Sequence, residues 1–527
     1  MSERTRVRDY DILLTGGTIV DGTGGSPYAA DLGVRDGTVA AIGDLAGASA
    51  ASVIDAHARF LMPGFVDTHV HADAVLGRAD VQEAMLRQGV TSVVLGQDGL
   101  SFAPASSGTV DYVARYFAAV DGTPPVELAG GCTVAGLLDF YDRRTPLNVA
   151  YLVPLGTVRH EVLGAEDRPA GEKLADLLRL VEQGLDEGAV GVSTGLEYVP
   201  GVFADLDELT ALCRPAAAVD APYVSHLRSY DGGRAPGMVE ARALGQATGV
   251  PVHVSHYRGL AEPLLDHLEE AATAGVDVTF DAYPHLYGNT ILAMKALPPQ
   301  VQAGGVEETL RRLADPAVRA ELEARWFPAA EAALGPAIFG YIAGTDYRWA
   351  EGLTLAAAGA RAGLSFGELV CEVLLASDLA VGAIVPSPGG DDADLRAMIR
   401  DDRHMGCSDA IYLGGHPHPR GWGAFARFLG HHTRELGDWT WAQAAWHLAG
   451  HPARRFQLAG RGTLCEGAAA DVVVVDPTLV TDLATYDHPC QLAVGVRDVL
   501  VAGEPVLTDG KLTGATPGRA LRRGEPA

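Results

Sequence analysis

Short apolar runs recur through the middle of the chain: FLMPGFVDTHVH, GVTSVVLG, NVAYLVP, AVGVSTG, APYVSH, VPVHVSH, DVTFDAYP and HMGCSDA. Amphipathic stretches such as KLADLLRLVEQGLDEG separate them. Apolar runs with turn residues at their ends read as buried strands, and the stretches between carry helical periodicity. Eight such runs with helical connections predict an α/β protein built on a TIM-like (β/α)8 barrel. From the fifth run to the seventh the spacing is roughly 30 residues, about one βα unit. The seventh and eighth are far more widely separated, from about residue 285 to 404. That gap must hold an insertion with its own helices, placed at about 285–346 and read as a lid over the barrel mouth.

The two ends of the chain have another pattern. YDILLTGGTIVDGTG reads as a hairpin turning at Gly16-Gly17, and DLGVRDGTVAAIGDL as one turning at Asp36-Gly37. DVVVVDP and RDVLVAGEPVLTDGKL, with a turn at Asp509-Gly510, have the same character. Residues 1–62 and 460–527 are therefore expected to form one small β-sandwich, flanking a barrel over 63–459.

Composition narrows the class. A chain of 527 residues suits a large barrel plus a smaller domain, and 48% hydrophobic with 20% charged residues suits an ordinary core. The formal net charge of -27 repels phosphate backbones and anionic lipids. Nucleic-acid and membrane partners are not expected; a small-molecule substrate is, and a homo-oligomer stays open. The start, MSERTRVRDYDILL, has no apolar signal core, and no run is long enough to span a membrane. The cysteines, Cys132, Cys213, Cys371, Cys407, Cys465 and Cys490, make no CxxC pair. Zinc fingers and disulfide scaffolds are thus disfavoured, and a cytoplasmic location is expected.

Barrel active sites sit at the C-terminal ends of the strands, so the chemistry is sought there. The first strand ends Asp67-Thr68-His69-Val70-His71. Residues two apart on a strand share a face, so His69 and His71 both reach the barrel mouth. The fifth strand ends at His226 and the sixth at His256, each one residue after a serine. One such histidine is readily a satisfied core residue; two at equivalent points of consecutive units are harder to explain by packing. His253 lies three residues before His256, faces the other way, and reads as structural. The eighth strand ends at Asp409. A lone Asp there is usually a turn or a helix cap, but beside four histidines it reads as ligand and general base. Nitrogen and carboxylate donors suit zinc, one or two ions, with other divalent metals open. Such an ion brings the pKa of its water to about 7, and Asp409 is placed to move the proton.

A two-metal site needs a shared anionic ligand, often a carboxylated lysine near the end of strand four. The chain has only Lys173, Lys295 and Lys511, and AVGVSTG contains none of them. Lys173 belongs to a helical pattern and reads as a solvated face. Asp98, in Gln97-Asp98-Gly99 after the second strand, is either a plain Asp-Gly turn or the missing bridge. The lack of another anionic candidate favours the bridge.

These motifs, together with DILLTGGTIVDGTG, PGFVDTHVHAD, GVTSVVLGQDGLSFAP, GAVGVSTGLEYVPG, SHLRSY, HVSHYRG, HPHPRGWGAFARFLG and PARRFQLAGRGTLCEGAAADVVVVDP, run in order along nearly the whole chain. In them the chain resembles the amidohydrolase superfamily, and within it the N-acyl-D-amino-acid deacylases, or D-aminoacylases. The resemblance implies a (β/α)8 barrel with a β-sandwich from both ends. It implies one metal position among His69, His71 and Asp409, and another among His226, His256 and the residue at Asp98. Many members have cysteine at that place, so this chain exchanges a soft thiolate for a hard carboxylate. Another departure is Leu155, near a point where relatives often carry histidine. Arg420 resembles the arginine that clamps the substrate carboxylate, in keeping with bidentate guanidinium geometry. Arg258 stands where the family commonly has a basic residue, and Tyr198 matches a substrate-contacting tyrosine; for both, surface pairing or packing is the plainer alternative. Asn289, within the insertion, is counted with the substrate contacts. Cys407 lacks a histidine–acid pair of its own and reads as a small residue packed beneath the site.

The implied activity is hydrolysis of the amide of N-acyl-D-amino acids; nothing in the residues themselves selects D over L. Alternatives are a cyclic amidase of the dihydroorotase or hydantoinase type, against which the missing strand-four lysine counts, and a dipeptidase. From another class, a non-catalytic barrel acting in binding or assembly would be expected to have lost ligands.

Overall fold

The structure, a computed structural model, describes residues 8–229, 235–386 and 389–525. Eight parallel strands make the barrel: β1 (Phe65–Asp67), β2 (Val90–Leu95), β3 (Asn148–Pro154), β4 (Gly191–Gly195), β5 (Tyr223–His226), β6 (Val252–Val254), β7 (Val278–Ala282) and β8 (His404–Gly406). They pair in sequence order, and the ring closes where Val70 and His71, just after β1, pair in parallel with Ala410 and Ile411, just after β8. Each of the eight apolar runs supplies one strand. Strands β2 and β3 are buried at every position, as parallel strands with helices outside and side chains inside must be. Val66, Val94, Leu152, Val224 and Met405 form an inner cluster with Phe456 and Leu458, so the barrel is a packed core with chemistry only at its mouth.

The insertion between β7 and β8 is built around a three-stranded antiparallel sheet of Tyr287–Ile291, Ile338–Ile342 and Val381–Pro386, with the last in the centre. Six helices of five or more residues lie within it, from Leu292–Ala296 to Phe366–Ala376. The inserted elements thus reach Pro386, and the sequence-derived bound near 346 falls inside the unit. Its central strand pairs with partners far back in sequence, a relation no local pattern reveals.

Strands from both ends form one nine-stranded sheet, joined where Phe60–Pro63 pairs antiparallel with Val472–Val475. Thr38 bridges Ala469, so the sheet curls over its own core, in which Leu14, Leu32, Val34, Leu61, Val472 and Leu500 meet. Asp36-Gly37 and Asp509-Gly510 turn as expected, with φ of 52° and 77°, and 46° and 71°. Gly16-Gly17 does not turn. It lies inside the strand Tyr10–Ile19 at a register shift, with Gly16 at φ 70°, the signature of a glycine β-bulge. No helix among the described residues is long and apolar enough to cross a membrane.

Candidate metal centre

All six candidate ligands stand at C-terminal strand ends. His69 and His71 follow β1, Asp98 sits in the turn Gln97–Gly99 after β2, and His226 is the last residue of β5. His256 and Asp409 lie just beyond β6 and β8. Local chemistry places them. Asp67 accepts the backbone N–H of Ser408 at 2.9 Å and the Ser408 hydroxyl, tying β8 to β1 beneath the site. The Asp409 N–H donates to the His69 carbonyl at 2.8 Å. The Gln97 amide donates to the Thr68 carbonyl at 2.7 Å and the Val94 carbonyl at 2.9 Å, holding the turn over β1. Asp98, His256 and Asp409 all have left-handed backbones, with φ of 53°, 38° and 47°. That conformation costs a non-glycine residue roughly 1–2 kcal/mol, and here it aims three candidate ligands at one point. Gly195, at the end of β4, admits the turn: a Cβ there would lie 2.1 Å from the Asp98 carbonyl oxygen.

The six side chains form one buried cluster with Asp98 at its centre. Asp98 Oδ1 is 3.5 Å from His69 Nε2 and 3.5 Å from His256 Nε2; Oδ2 is 3.7 Å from His71 Nε2 and 3.5 Å from His226 Nδ1. Asp409 Oδ1 is 3.7 Å from His69 Nε2 and 3.6 Å from His71 Nε2, and those two nitrogens are 3.4 Å apart. Such spacings are long for N–H···O hydrogen bonds. They match donors around a shared ion: ligands at 2.0–2.2 Å in tetrahedral array stand about 3.3–3.6 Å apart. Asp98 Oδ1 is buried with no hydrogen-bond partner among the described residues. Two groups of potential ligands, His69–His71–Asp98 and Asp98–His226–His256, share the one carboxylate. The donor set fits one or two zinc ions or a similar divalent metal. Strand β4 brings no ligand, and Lys173 lies exposed beside Asp176, 3.2 Å away.

Electrostatics follow from this packing. Burial works to lower the His69 and His226 imidazoles, but the surrounding carboxylates together outweigh it, Asp98 with Asp281 and Asp409 at His69 and Asp98 with Glu197 at His226, and hold each at about 9. Burial prevails at His71 and His256, lowered to about 4 and about 3. Burial also works to raise Asp98, yet its histidine neighbours hold it well below the usual carboxylate range. Asp409 is raised by burial, against the opposing charges of Arg420, His69 and His71, which makes it a better proton acceptor than an ordinary aspartate.

Outside this cluster lie carboxylates that the strand-end search missed. His71 Nδ1 is 3.1 Å from Asp121 Oδ1, and His226 Nε2 is 3.2 Å from Glu197 Oε2. Both meet the nitrogen opposite the one facing Asp98. Glu197 Oε2 also lies 3.3 Å from Lys295 Nζ, a lysine that composition alone had left without a role.

A cavity of about 490 Å³ opens beside the cluster, bounded by Asp98, His226, His256 and Asp409. Its other walls include Tyr198, Arg258, Tyr283, Asn289, Lys295 and Val385. Tyr198, Arg258 and Asn289, expected from the sequence as substrate contacts, line this cavity together with Tyr283 and Lys295. The Tyr198 hydroxyl bonds Thr290 Oγ1 at 2.8 Å, linking the loop after β4 to the insertion. Arg258 donates to the His285 carbonyl at 2.7 Å and lies 4.1 Å over the Tyr283 ring. Arg420 is fully buried and is not a cavity wall. Its Nη1 pairs with Asp409 Oδ2 at 2.8 Å, and its guanidinium also rests on Tyr283, at 4.4 Å. Its Nε and Nη2 have no hydrogen-bond partner among the described residues. Leu155 is buried at the start of the helix Leu155–Leu163. Cys407 is buried with its thiol 3.2 Å from Asp281 Oδ1, and burial raises it well above the usual thiol range, as suits a packed residue rather than a nucleophile. Of SHLRSY, Tyr230 falls outside the described residues.

Comparison with known proteins matches residues 52–507 to the model of the amidohydrolase family. The chain is 34% identical to a D-aminoacylase of Alcaligenes xylosoxydans xylosoxydans, covering 98% of each chain. It is 33% identical to an N-acyl-D-glutamate deacylase of the same organism, over 97% of this chain and 96% of the relative. Among solved structures, the N-acyl-D-glutamate deacylase of Bordetella bronchiseptica, complexed with zinc and a phosphonate mimic of the tetrahedral intermediate, superposes with a TM-score of 0.83. The identity is 31%, over 97% of this chain and 99% of that one.

Proposed function

Because the chain belongs to the amidohydrolase family, we propose that it hydrolyses the amide bond of N-acyl-D-amino acids, releasing a carboxylate and a free D-amino acid. The observation that carries the reading is the buried Asp98 carboxylate, spaced as a shared ligand between two histidine pairs beside Asp409 and an open cavity. The D configuration is supported by the names of relatives that align over nearly their whole length.

His69, His71, Asp98 and Asp409 would hold one divalent ion, and Asp98, His226 and His256 a second; zinc fits both. Bound there, such an ion makes water acidic near neutral pH and polarises a carbonyl oxygen. Asp409 takes one proton from the attacking water as the new C–O bond forms at the acyl carbon. It then gives that proton to the amide nitrogen as the C–N bond breaks, and the new carboxyl group releases its proton to solvent. The raised basicity of Asp409 suits both transfers. The spare donors of Arg420, with Arg258 on the cavity wall, suit a carboxylate held against Tyr283. Tyr198 and Asn289 line the space for the acyl-amide group, and the sheet containing Tyr287–Ile291 covers it.

A panel of N-acetyl-D- and N-acetyl-L-amino acids, assayed for free amine with and without a chelator, tests this. Release from the D series alone, abolished by chelator and restored by zinc, is expected. No release from either series would overturn it.

A further inference from the structure

Strand β7 contributes none of the candidate ligands, yet near its end lies a fully buried carboxylate in the middle of the barrel. Asp281 Oδ1 accepts the His256 backbone N–H at 2.6 Å and the Cys407 thiol at 3.2 Å. Asp281 Oδ2 lies 2.9 Å from His253 Nε2 and 3.8 Å from His69 Nδ1. We propose that Asp281 and His253 are a positioning pair for His69, fixing the ring orientation and tautomer with which it binds metal. The proposal rests on the metal-site reading above.

His69 Nε2 faces Asp98, His71 and Asp409, so Nε2 is the nitrogen offered to an ion. A neutral imidazole that ligates through Nε2 carries its hydrogen on Nδ1. His69 is wholly buried, so that hydrogen needs an acceptor within the protein. His69 Nδ1 has no hydrogen-bond partner among the described residues, and Asp281 Oδ2 stands in front of it. At 3.8 Å the pair lies just beyond hydrogen-bond length, and no other acceptor takes that hydrogen among the described residues. His71 and His226 already have the same arrangement, with Asp121 and Glu197 on their far nitrogens. An acceptor on the far nitrogen is the usual way a protein sets a histidine ligand.

His253 in turn sets Asp281. Its Nδ1 lies 2.8 Å from the Thr279 hydroxyl. With that hydroxyl donating to Nδ1, the ring hydrogen sits on Nε2 and points at Asp281 Oδ2. The carboxylate is therefore held by three donors, one from β6 and one each from the segments just after β6 and β8, and its remaining direction is toward His69. The sequence pattern puts His253 on the face opposite His256 and reads it as structural; its register beside Val224 and Thr279 instead turns it into the barrel, where its ring packs on Phe456 with centroids 5.6 Å apart. A purely structural histidine would need that packing only. The positioning role needs the Nε2 hydrogen.

The test uses the full chain with three substitutions: Asp281→Asn, His253→Phe, which keeps packing and removes the donor, and His253→Gln, which keeps an amide donor. Zinc affinity is measured by competition with a chromophoric chelator, and the ligand field by the visible spectrum of the cobalt-loaded protein. Circular dichroism of the metal-free forms reports folding. Expected are a roughly 10- to 100-fold weaker zinc affinity and an altered cobalt spectrum for Asp281→Asn and His253→Phe, with recovery toward wild type in His253→Gln. Folded variants with unchanged affinity and spectrum overturn the proposal. If Asp281→Asn does not fold, the two His253 variants decide. A wild-type chain that binds no divalent ion overturns this proposal together with the metal site. A chain that binds zinc normally but cleaves no N-acyl-D-amino acid overturns only the substrate reading.

Discussion

Replacing Asp98 by alanine removes the carboxylate that both ligand groups share. Each of its oxygens faces one histidine from each pair, at 3.5–3.7 Å. Taking one partner from a buried charge cluster costs about 3–5 kcal/mol. As a change in metal affinity that is roughly 100-fold to several thousand-fold. Part is offset, because Asp98 is also the foremost of the carboxylates that hold His69 and His226 at about 9, and protons on those rings compete with metal. The distinguishing outcome is stoichiometry. Loss of a ligand belonging to one group would empty one position, whereas loss of Asp98 weakens both. Zinc content after dialysis, measured by mass spectrometry, and chelator competition read this directly. Asp98→Cys keeps an anion and is expected to restore zinc binding, with preference moved from manganese toward softer ions. If Asp98→Ala holds zinc at the wild-type level and affinity, Asp98 is only a turn residue and the shared-ligand geometry is coincidental.

Arg420→Met removes the spare donors beside Tyr283. It is expected to raise KM for N-acyl-D-amino acids by about 10- to 100-fold, and an unchanged KM would place the carboxylate elsewhere. Gly195→Ala puts a Cβ 2.1 Å from the Asp98 carbonyl and 2.5 Å from the Tyr198 ring; overpacking of that kind costs about 1–3 kcal/mol, so both Tm and activity should fall. His160 stacks on Tyr112 with centroids 4.0 Å apart, and burial lowers it to about 4 from an ordinary value of 6.5. Its folded pKa lies below the unfolded one. Its contribution, at most about 3 kcal/mol, is therefore complete above pH 6.5 and lost as pH falls toward 4. Denaturant midpoints against pH for wild type and His160→Gln should converge at low pH, and parallel curves would refute this.

The barrel was legible because each of its strands is a separate apolar run and parallel pairing follows chain order. The insertion was legible only as a gap. Its central strand, Val381–Pro386, pairs with Ile338–Ile342 on one side and Tyr287–Ile291 on the other, and such long-range pairing leaves no local period. Gly16-Gly17 misled for a related reason. Two glycines suit a turn and a bulge equally, and the ladder to residues 28–34 decides between them.

The site divides along the same line. Ligands at strand ends could be found from the residues just after each strand, because the barrel geometry sends every such residue to one mouth. Asp281, near the end of β7, and Glu197, two residues after β4, satisfy the same rule as Asp409 and were legible in the same way. Asp121 was not: it comes from a loop after a helix, and only the tertiary fold brings it to His71. The left-handed backbones of His256 and Asp409 were hidden as well, and only at Asp98, followed by Gly99, does the sequence point to a turn with positive φ. These features share a physical origin. Ligand identity is written in single residues. The orientation of a ligand depends on strain and on far-nitrogen acceptors supplied by the rest of the fold. A chain with the same six ligands but without Asp121, Glu197 and Asp281 would keep the motif and bind metal more weakly.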